Sequence, residues 1–283
     1  MASRKIEFYA EVEASVLTES ARKLLREYSG IPDAKINSHV EAIRLEAFQV
    51  CPYPCIGMFQ FLDLSLSSMT SIYAEVLQRL KTGNKFLDLG CCLGQEIRQL
   101  VFDGAPSANT YGVDLYGGFF AVGYKLFADR DRLQTTFIAA DIFDELSPLA
   151  TTQLAGQIDI VYVGAVFHLF SLQEQEMMAV RLVQLLAPRA GSLIIGRQSG
   201  SEEAGEFSRA GDKNGKSHFR HNPQSWRELW DRVGERTGSK WHVEEADLSA
   251  PEFGLSSAAA EGMSAEIRNK MSAKGLRFVV RRM

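Results

Sequence analysis

The stretch that decides the fold is KFLDLGCCLGQ, Lys85–Gln95. An apolar run that ends in an acid and is followed by glycines and a helical segment is typical of a strand, a tight turn and a helix. Two cysteines stand in this turn, where nucleotide-binding fingerprints need room for the backbone. The chemistry of the turn therefore indicates which class of ligand the fold binds.

Short apolar runs alternate with helical segments from Lys85 to the end of the chain. The runs are KFLDL, TYGVDL, TTFIAADI, IDIVYVGAVFHLF, SLIIGRQ, WHVEEADL and GLRFVVRRM. Seven such runs predict an α/β fold with a doubly wound, mostly parallel sheet. Residues 1–83 have helical periodicity and predict a helical N-terminal cap. The remainder, 84–283, divides into a cofactor half over 84–197 and a substrate lid with C-terminal strands over 198–283.

The predicted lid begins with a long segment, Gln198–His221, that is rich in glycine and charge. Its sequence has no clear period, which predicts a loop. Asn222 and Pro223 follow as a typical helix start. We therefore expect a loop that covers the substrate and a helix directly after it.

Composition limits the classes of partner. The 283 residues are 46% hydrophobic, and the net charge of -4 is spread without a basic run. This argues against binding of nucleic acid or of an anionic membrane surface. No window reaches the roughly 18 apolar residues of a membrane helix, and the N-terminus lacks the apolar centre of a secretory signal, so we expect a cytoplasmic protein.

The four cysteines do not have the spacing of a zinc finger. They are Cys51, Cys55, Cys91 and Cys92, with no histidine at a zinc-finger interval. A metal or redox pair at Cys51 and Cys55 and a pair of ordinary buried thiols are both compatible with the spacing.

The glycine turn does not fit a phosphate ligand. A dinucleotide fingerprint that starts at Gly90 would place Cys92 and Gln95 at its second and third glycines. A P-loop would need glycine and lysine where Gln95 and Glu96 stand. An acid at the strand end, Asp88, repels phosphate and attracts a cation, so a ligand with an ammonium and a sulfonium group fits the charge.

DLGCCLG resembles the E/D-x-G-x-G-x-G motif of class I S-adenosylmethionine-dependent methyltransferases, with Cys92 at the central glycine. Asp114, at the end of the second strand, is placed to accept the ribose hydroxyl protons, and the resemblance implies that Asp141 binds the adenine amino group. Helix capping or turn formation is the alternative for each acid taken separately, whereas three strand-end acids in register with one glycine turn favour a ligand site. The resemblance implies S-adenosylmethionine as cofactor and the following binding residues: Asp88, Leu89, Gly90, Cys92, Gly94, Asp114, Leu115, Asp141, Ile142 and Gly164.

At finer grain, DLGCCLGQ, VFHLF and HNPQSW resemble the fungal secondary-metabolite methyltransferases that form methyl esters on polyketide-terpenoid (meroterpenoid) intermediates. This resemblance extends to the helical N-terminus. It implies a Rossmann-like, seven-stranded sheet whose last strand is antiparallel beside the sixth. It also implies a small-molecule acceptor and a homodimer through the helical cap.

Methyl transfer from a sulfonium is an in-line displacement, so the protein mainly aligns the acceptor. A carboxylate acceptor needs no base, whereas a phenol or alcohol would use one, and His168 is the candidate. His168 could equally orient a carboxylate or simply pack. Arg220, together with His221, could supply a counter-charge for an acidic acceptor, although a solvated charge is the simpler interpretation. For the aromatic residues, packing in the core is the simpler interpretation. The predicted substrate-binding residues are Phe167, His168, Arg197, Arg220 and Trp226.

Two other classes of function stay open from the sequence. A methyltransferase-like regulatory module without turnover is compatible with the departure at Cys92. A nicotinamide oxidoreductase would share the sheet but lacks the required glycines.

Overall fold

The computed structural model describes residues 17–147, 154–208, 217–251 and 274–283, together with Ala14 and Leu149. The remaining residues, which include the start of the predicted cap and the middle of the predicted lid, lie outside the described part of the chain. Within the described ranges, no helix combines the length and the apolar character that crossing a membrane requires.

By contacts between its residues, the chain divides into two compact units. The first contains the described residues up to Lys81 and Cys91–Ala139. The second contains Thr82–Gly90 and the described residues from Ala140 onward. The glycine turn therefore has Gly90 in the second unit and Cys91 to Gly94 in the first.

The strands follow the predicted apolar runs. Their bounds are β1 Phe86–Leu89, β2 Thr110–Asp114, β3 Thr136–Ala139, β4 Ile160–Gly164, β5 Leu193–Gly200, β6 Gly205–Ser208, β7 Ser217–Arg220, β8 Trp241–Pro251 and β9 Lys274–Arg282. Valine, isoleucine and leucine fill β4 and the first half of β5, as expected for strands that are covered on both faces.

Seven strands form one sheet in the order β3-β2-β1-β4-β5-β9-β8. β1 pairs in parallel with β4, β4 with β5, and β2 with β3. β9 is antiparallel to both β5 and β8. The last strand of the chain is therefore inserted between β5 and β8, which are the fifth and sixth strands of this sheet in chain order. The predicted Rossmann-like, mostly parallel, seven-stranded sheet with an antiparallel last strand is confirmed.

Helices precede the sheet and connect its strands. Their bounds are α1 Glu19–Lys23, α2 Asp33–Val50, α3 Pro54–Gly57, α4 Thr70–Lys81, α5 Gln95–Phe102, α6 Gly118–Phe127, α7 Leu172–Leu185 and α8 Pro223–Thr237. A π-helical turn, Leu24–Tyr28, continues α1. Asn222 caps α8 by accepting a hydrogen bond from the N–H of Ser225, which confirms the predicted helix start.

The first unit has its own apolar core. Buried side chains of α1, α2 and α3 pack with Leu93 of the glycine turn and with Phe119, Leu126 and Phe127 of α6. Burial of this surface is the main favourable contribution to the stability of the unit. The helices of the N-terminal segment are therefore part of the same core as the turn and α6.

The predicted loop Gln198–His221 is wrong over its described residues. β5 continues to Gly200, and β6 pairs with β7 as an antiparallel hairpin. Each hairpin strand has only four residues, so glycines and charges around Phe207 and Phe219 hide the period of two in the sequence. Tertiary hydrogen bonds hold the hairpin: the N–H of Phe219 donates to the carbonyl of Phe170 at 2.9 Å.

Gln175 of α7 completes this attachment. Its side chain is fully buried, and Nε2 donates to the carbonyl oxygen of Phe170 at 2.9 Å and to that of Phe219 at 2.8 Å. A single amide group therefore bridges β7 and the segment that follows β4. A buried carbonyl that loses such a partner costs about 1–3 kcal/mol.

We expect Gln175→Met to lower the free energy of unfolding by about 1 kcal/mol, because two partly buried carbonyl oxygens lose a donor and that of Phe170 keeps the N–H of Phe219. Hydrogen exchange should show faster exchange of the Phe219 amide. Gln173→Met, at an exposed position of the same helix, is the control and should change neither quantity. An unchanged Phe219 exchange rate in the Gln175 variant would contradict this role.

Candidate active site

The glycine turn has left-handed backbone at every second residue. The φ angles are +75° at Gly90, +50° at Cys92 and +70° at Gly94. Residues with a side chain adopt this region at a cost of about 1–2 kcal/mol, which explains why the methyltransferase motif favours glycine at all three positions. Cys92 keeps the same backbone conformation in spite of its side chain, so the turn geometry is preserved.

Close packing also requires glycine at two of these positions. A Cβ atom on Gly90 would lie 2.4 Å from Cγ2 of Val166, and one on Gly94 would lie 2.5 Å from Nη1 of Arg98. Both distances are far below van der Waals contact. The turn is therefore built for backbone to approach its neighbours closely.

The carboxylate of Asp114, at the end of β2, holds the turn. Its Oδ2 accepts the backbone N–H of Cys92 at 2.9 Å, and its Oδ1 accepts the N–H of Tyr116 at 3.0 Å. Burial raises the pKa of Asp114 above its usual value, and the backbone hydrogen bonds oppose this shift. Each carboxylate oxygen has a second lone pair, so the group can act both as the predicted turn residue and as an acceptor for a ligand.

Next to Asp114 the surface is apolar and aromatic. The side chain of Leu115 is 54% exposed, which is unusual for leucine beside a buried acid. Tyr116, Tyr53 and Phe119 form a cluster with ring centroids 6.1–6.2 Å apart. The sequence prediction included Leu115 but missed the tyrosines.

Cys51 adds a thiol to this cluster. Side-chain hydrogen bonds join it to Tyr53 and Tyr116, and burial raises the pKa of its thiol. Neither Cys51 nor Cys55 forms a disulfide among the described residues, and these residues contain no group of three or more side chains that could hold a metal ion. The thiol therefore contributes to packing and hydrogen bonding around Tyr53.

In the second unit, the predicted acids differ in burial. Asp88 and Leu89 are buried in β1. Asp141 is exposed, and its Oδ1 accepts the N–H of Phe143 at 2.9 Å, as in the local-turn interpretation. Ile142 and Gly164 are half-buried, with Gly164 at the end of β4. Asp141 keeps a solvent-accessible carboxylate in spite of its turn bond.

His168 lies in the short 3-10 turn that follows β4. The backbone N–H of Ser199 donates to its Nδ1 over a long 3.4 Å. An Nδ1 that accepts a hydrogen bond carries no proton in the neutral ring, so the proton is on Nε2. This tautomer orients the ring as a hydrogen-bond donor and not as a base.

Phe167 and Trp226 are core residues. Both are fully buried, and the ring of Trp226 lies 5.1 Å from that of Phe167 and 4.4 Å from that of Phe278 between ring centroids. Both rings pack in the core, and their contact with a substrate stays a prediction. Within the described residues the indole Nε1 of Trp226 has no hydrogen-bond partner.

The two arginines of the predicted substrate set lie on different strands, Arg197 on β5 and Arg220 on β7. Arg197 pairs with Arg277 across β5 and β9, whereas Gln198 and Leu276 form the next pair. Side chains alternate across a strand, so Arg197 and Gln198 point to opposite faces of the sheet. Arg220 is on the hairpin, with its guanidinium 4.9 Å from the ring centroid of Phe207.

His221 cannot supply the expected counter-charge. It is fully buried beside Trp226, with ring centroids 5.2 Å apart. Burial, with a smaller effect of Arg232, lowers the pKa of His221 to about 3, so the ring is neutral at pH 7. Its Nδ1 is 2.9 Å from the hydroxyl of Ser225, and its Nε2 has no partner among the described residues.

Gln198 is the polar residue that the sequence prediction missed. Its side chain is 2% exposed, and neither Nε2 nor Oε1 finds a partner within the described ranges. Gln198 shares a sheet face with Leu276 and Phe278, because residues opposite each other in an antiparallel pair point the same way. Its place inside SLIIGRQ, directly after an arginine, resembles an ordinary strand end and carries no signal of burial.

Comparison with known proteins agrees with this geometry. A family model described as "Meroterpenoid methyltransferase N-terminal domain" matches residues 8–62. O-methyltransferase phiE from a fungal species is 45% identical over 233 residues, covering 82% of this chain and 76% of its own length. Asnovolin E/chermesin D methyltransferase nvfJ of Aspergillus novofumigatus is 44% identical over 82% of each chain. Methyltransferase adrK of Penicillium roqueforti is 43% identical over 82% of each chain.

Solved structures share the fold at low sequence identity. Phosphoethanolamine N-methyltransferase 2 of Haemonchus contortus, in complex with phosphomonomethylethanolamine and S-adenosylhomocysteine, has a TM-score of 0.52 at 15% identity and covers 94% of this chain and 60% of its own. The [4+2]-cyclase SpnF has a TM-score of 0.50 at 14% identity and covers 73% of this chain and 78% of its own. These likenesses concern the fold.

The relatives above are methyltransferases by name, and they match the chain over most of their length. The expectation of an enzyme is therefore confirmed, and the oxidoreductase and the module without turnover are set aside. The chain belongs to the meroterpenoid methyltransferases of fungi, a branch of the class I S-adenosylmethionine-dependent methyltransferases.

Proposed function

We propose that this protein transfers a methyl group from S-adenosylmethionine to a carboxylate of a hydrophobic small molecule of the meroterpenoid type, forming a methyl ester. The name of phiE supports transfer to oxygen, and the name of nvfJ supports acceptors such as asnovolin E. The N-terminal family match supports the meroterpenoid class. The proposed homodimer through the helical cap stays a prediction.

The residues of the turn fit the methyl donor. The left-handed backbone at Gly90, Cys92 and Gly94 leaves a concave main chain, and Asp114 offers two carboxylate oxygens to a ribose diol. We propose that Leu115 covers one face of the adenine, and a role of Asp141 at the adenine amino group stays an expectation from the family resemblance. When bound, S-adenosylmethionine supplies a methyl group on a positively charged sulfur for in-line displacement.

The observation that carries the carboxylate assignment is a group of three buried side chains, each with at least one polar atom that has no partner among the described residues. We call Gln198, His221 and Trp226 the unpaired polar group. The N–H of Ser201 donates to the carbonyl of His221 at 3.0 Å, and Gly200 bridges to the same residue, which brings it to the end of β5. Buried polar atoms without partners cost free energy and are rare unless a ligand uses them.

This group suits an anion held among apolar walls. The amide of Gln198 and the indole of Trp226 present N–H donors, and the low pKa keeps His221 neutral at physiological pH. Neutral donors can hold a carboxylate without forming an ion pair that would weaken its oxygen as a nucleophile. We propose that His168 adds a third donor through Nε2–H, since its Nδ1 already accepts from Ser199.

The alternative acceptor is a phenol or alcohol, with His168 as base. A base would need an unprotonated Nε2. In the neutral ring the proton would then be on Nδ1, which could no longer accept the N–H of Ser199. The geometry therefore favours the carboxylate. Alkaline treatment of labelled product separates the two, because a methyl ester releases methanol and a methyl ether does not.

The pH dependence of kcat/KM distinguishes these acceptors. We expect a flat profile between about pH 6 and 9, because a carboxylic acid ionises well below that window. Protonation of His221, with its pKa at about 3, falls outside the same window. A loss of rate towards low pH with an apparent pKa near about 6.5 would instead indicate a histidine base.

Asp114→Asn should weaken donor binding at least about tenfold, because the ribose diol loses a charged acceptor. Isothermal titration with S-adenosylhomocysteine gives the dissociation constant directly. Asp131→Asn, which removes an exposed carboxylate, is the control and should bind like the wild type. An unchanged dissociation constant in the Asp114 variant would remove this residue from the donor site.

Gln198→Leu should lower kcat/KM for an acid acceptor by about 10- to 100-fold, the loss expected for a hydrogen bond to a charged group. Donor affinity should not change. Trp226→Phe should act in the same direction. Trp241→Phe removes an indole whose Nε1 already donates to the hydroxyl of Ser239 and is the control. Normal kcat/KM in the Gln198 variant would exclude the unpaired polar group as the acceptor site.

A further inference from the structure

A buried arginine is bound to the carbonyl groups of the glycine turn. Nη1 of Arg98, on α5, donates to the carbonyl oxygen of Leu93 at 2.7 Å and to that of Gly94 at 3.4 Å. Backbone carbonyls that are fixed from one side fix the orientation of the peptide planes of the turn. Arg98 therefore restrains the two residues that directly follow Cys92, whose N–H binds Asp114.

Asp129 holds the guanidinium in place. Nε of Arg98 donates to Oδ2 of Asp129 at 2.8 Å, and Nη2 donates to Oδ1 at 3.1 Å. Both side chains are fully buried. The rings of Tyr124, Phe127 and Phe137 surround the guanidinium carbon at 4.8–5.4 Å. Desolvation offsets much of the attraction in such a pair, so its main effect is to fix geometry.

Tyr28 completes this network from the N-terminal helices. Its hydroxyl donates to Oδ2 of Asp129 at 2.8 Å. The guanidinium of Arg132 lies 4.2 Å from the ring centroid of Tyr28, and its Nη2 donates to the Tyr28 carbonyl. Burial and the neighbouring carboxylate raise the pKa of Tyr28, so the hydroxyl keeps its proton and remains a donor. Tyr28 belongs to residues 8–62, which match the N-terminal family model.

We propose that Tyr28 is a positioning residue for the methyl donor, acting on the glycine turn through Asp129 and Arg98. The N-terminal domain thereby has a role in donor binding as well as in packing. The inference rests on the assignment of the turn to the donor made above.

The expected effect is moderate. Without the hydroxyl, Asp129 keeps Arg98 as its partner but can rotate within the pair, and the Leu93 carbonyl follows. Coupling through a short network of this kind changes affinity by about two- to thirtyfold. Tyr28→Phe retains the ring and its contacts with Phe102, Phe127 and Arg132.

The test compares Tyr28→Phe with Tyr73→Phe in the full chain. The Tyr73 hydroxyl donates to Asp103, which Gln99 also binds, at the end of α5 opposite the turn. Both variants lose one tyrosine-carboxylate hydrogen bond in the same unit, so their stabilities should fall similarly. Titration with S-adenosylhomocysteine should give a raised dissociation constant for Tyr28→Phe alone, with kcat at saturating donor unchanged. Amides of Cys92 and Gly94 should also exchange faster in that variant.

Three outcomes are decisive. Weaker donor binding in Tyr28→Phe but not in Tyr73→Phe supports the proposal. Wild-type affinity in Tyr28→Phe, or equal weakening in both variants, overturns it. Failure of the wild type itself to bind S-adenosylhomocysteine would instead overturn the proposed function, independently of Tyr28.

Discussion

The hydrogen bond from the Cys92 N–H to the carboxylate of Asp114 is the interaction on which the candidate site depends. It joins a turn with left-handed backbone at alternate residues to the end of β2. Arg98 binds the carbonyl side of the same turn, so donors and acceptors of its peptide groups are both fixed. A turn fixed in this way presents its remaining groups to a ligand without a further loss of conformational entropy, which favours binding.

The charges around this turn select the ligand. Asp114 is buried, and the turn contains neither the lysine nor the third glycine that phosphate cradles use. A cationic sulfur nucleoside meets attraction where a pyrophosphate meets repulsion. In the proposed acceptor site, burial keeps the ring of His221 neutral. Displacement at a sulfonium needs alignment and exclusion of water more than proton transfer, and a buried, neutral set of donors provides those conditions.

The parts that could be predicted from sequence are those that local pattern encodes. Alternating apolar runs and helices indicated the sheet. The glycines of Lys85–Gln95 indicated the turn, because glycine is the residue that most easily adopts left-handed backbone. Buried polar residues were not visible. The local sequence of the two helices does not mark Arg98 and Gln175 as buried, so only tertiary packing shows it. The hairpin of β6 and β7 was not predicted for a related reason. Hydrogen bonds to Gln175 and to the Phe170 carbonyl attach it, and its own sequence does not show them.

Calorimetric competition among nucleotide ligands tests the central claim most directly. The wild-type protein is titrated with S-adenosylmethionine, with NAD and with ATP under identical conditions. This account predicts saturable binding of S-adenosylmethionine at one site per chain and no heat above dilution for the two phosphate-bearing ligands. Binding of NAD or ATP in preference to S-adenosylmethionine would contradict it.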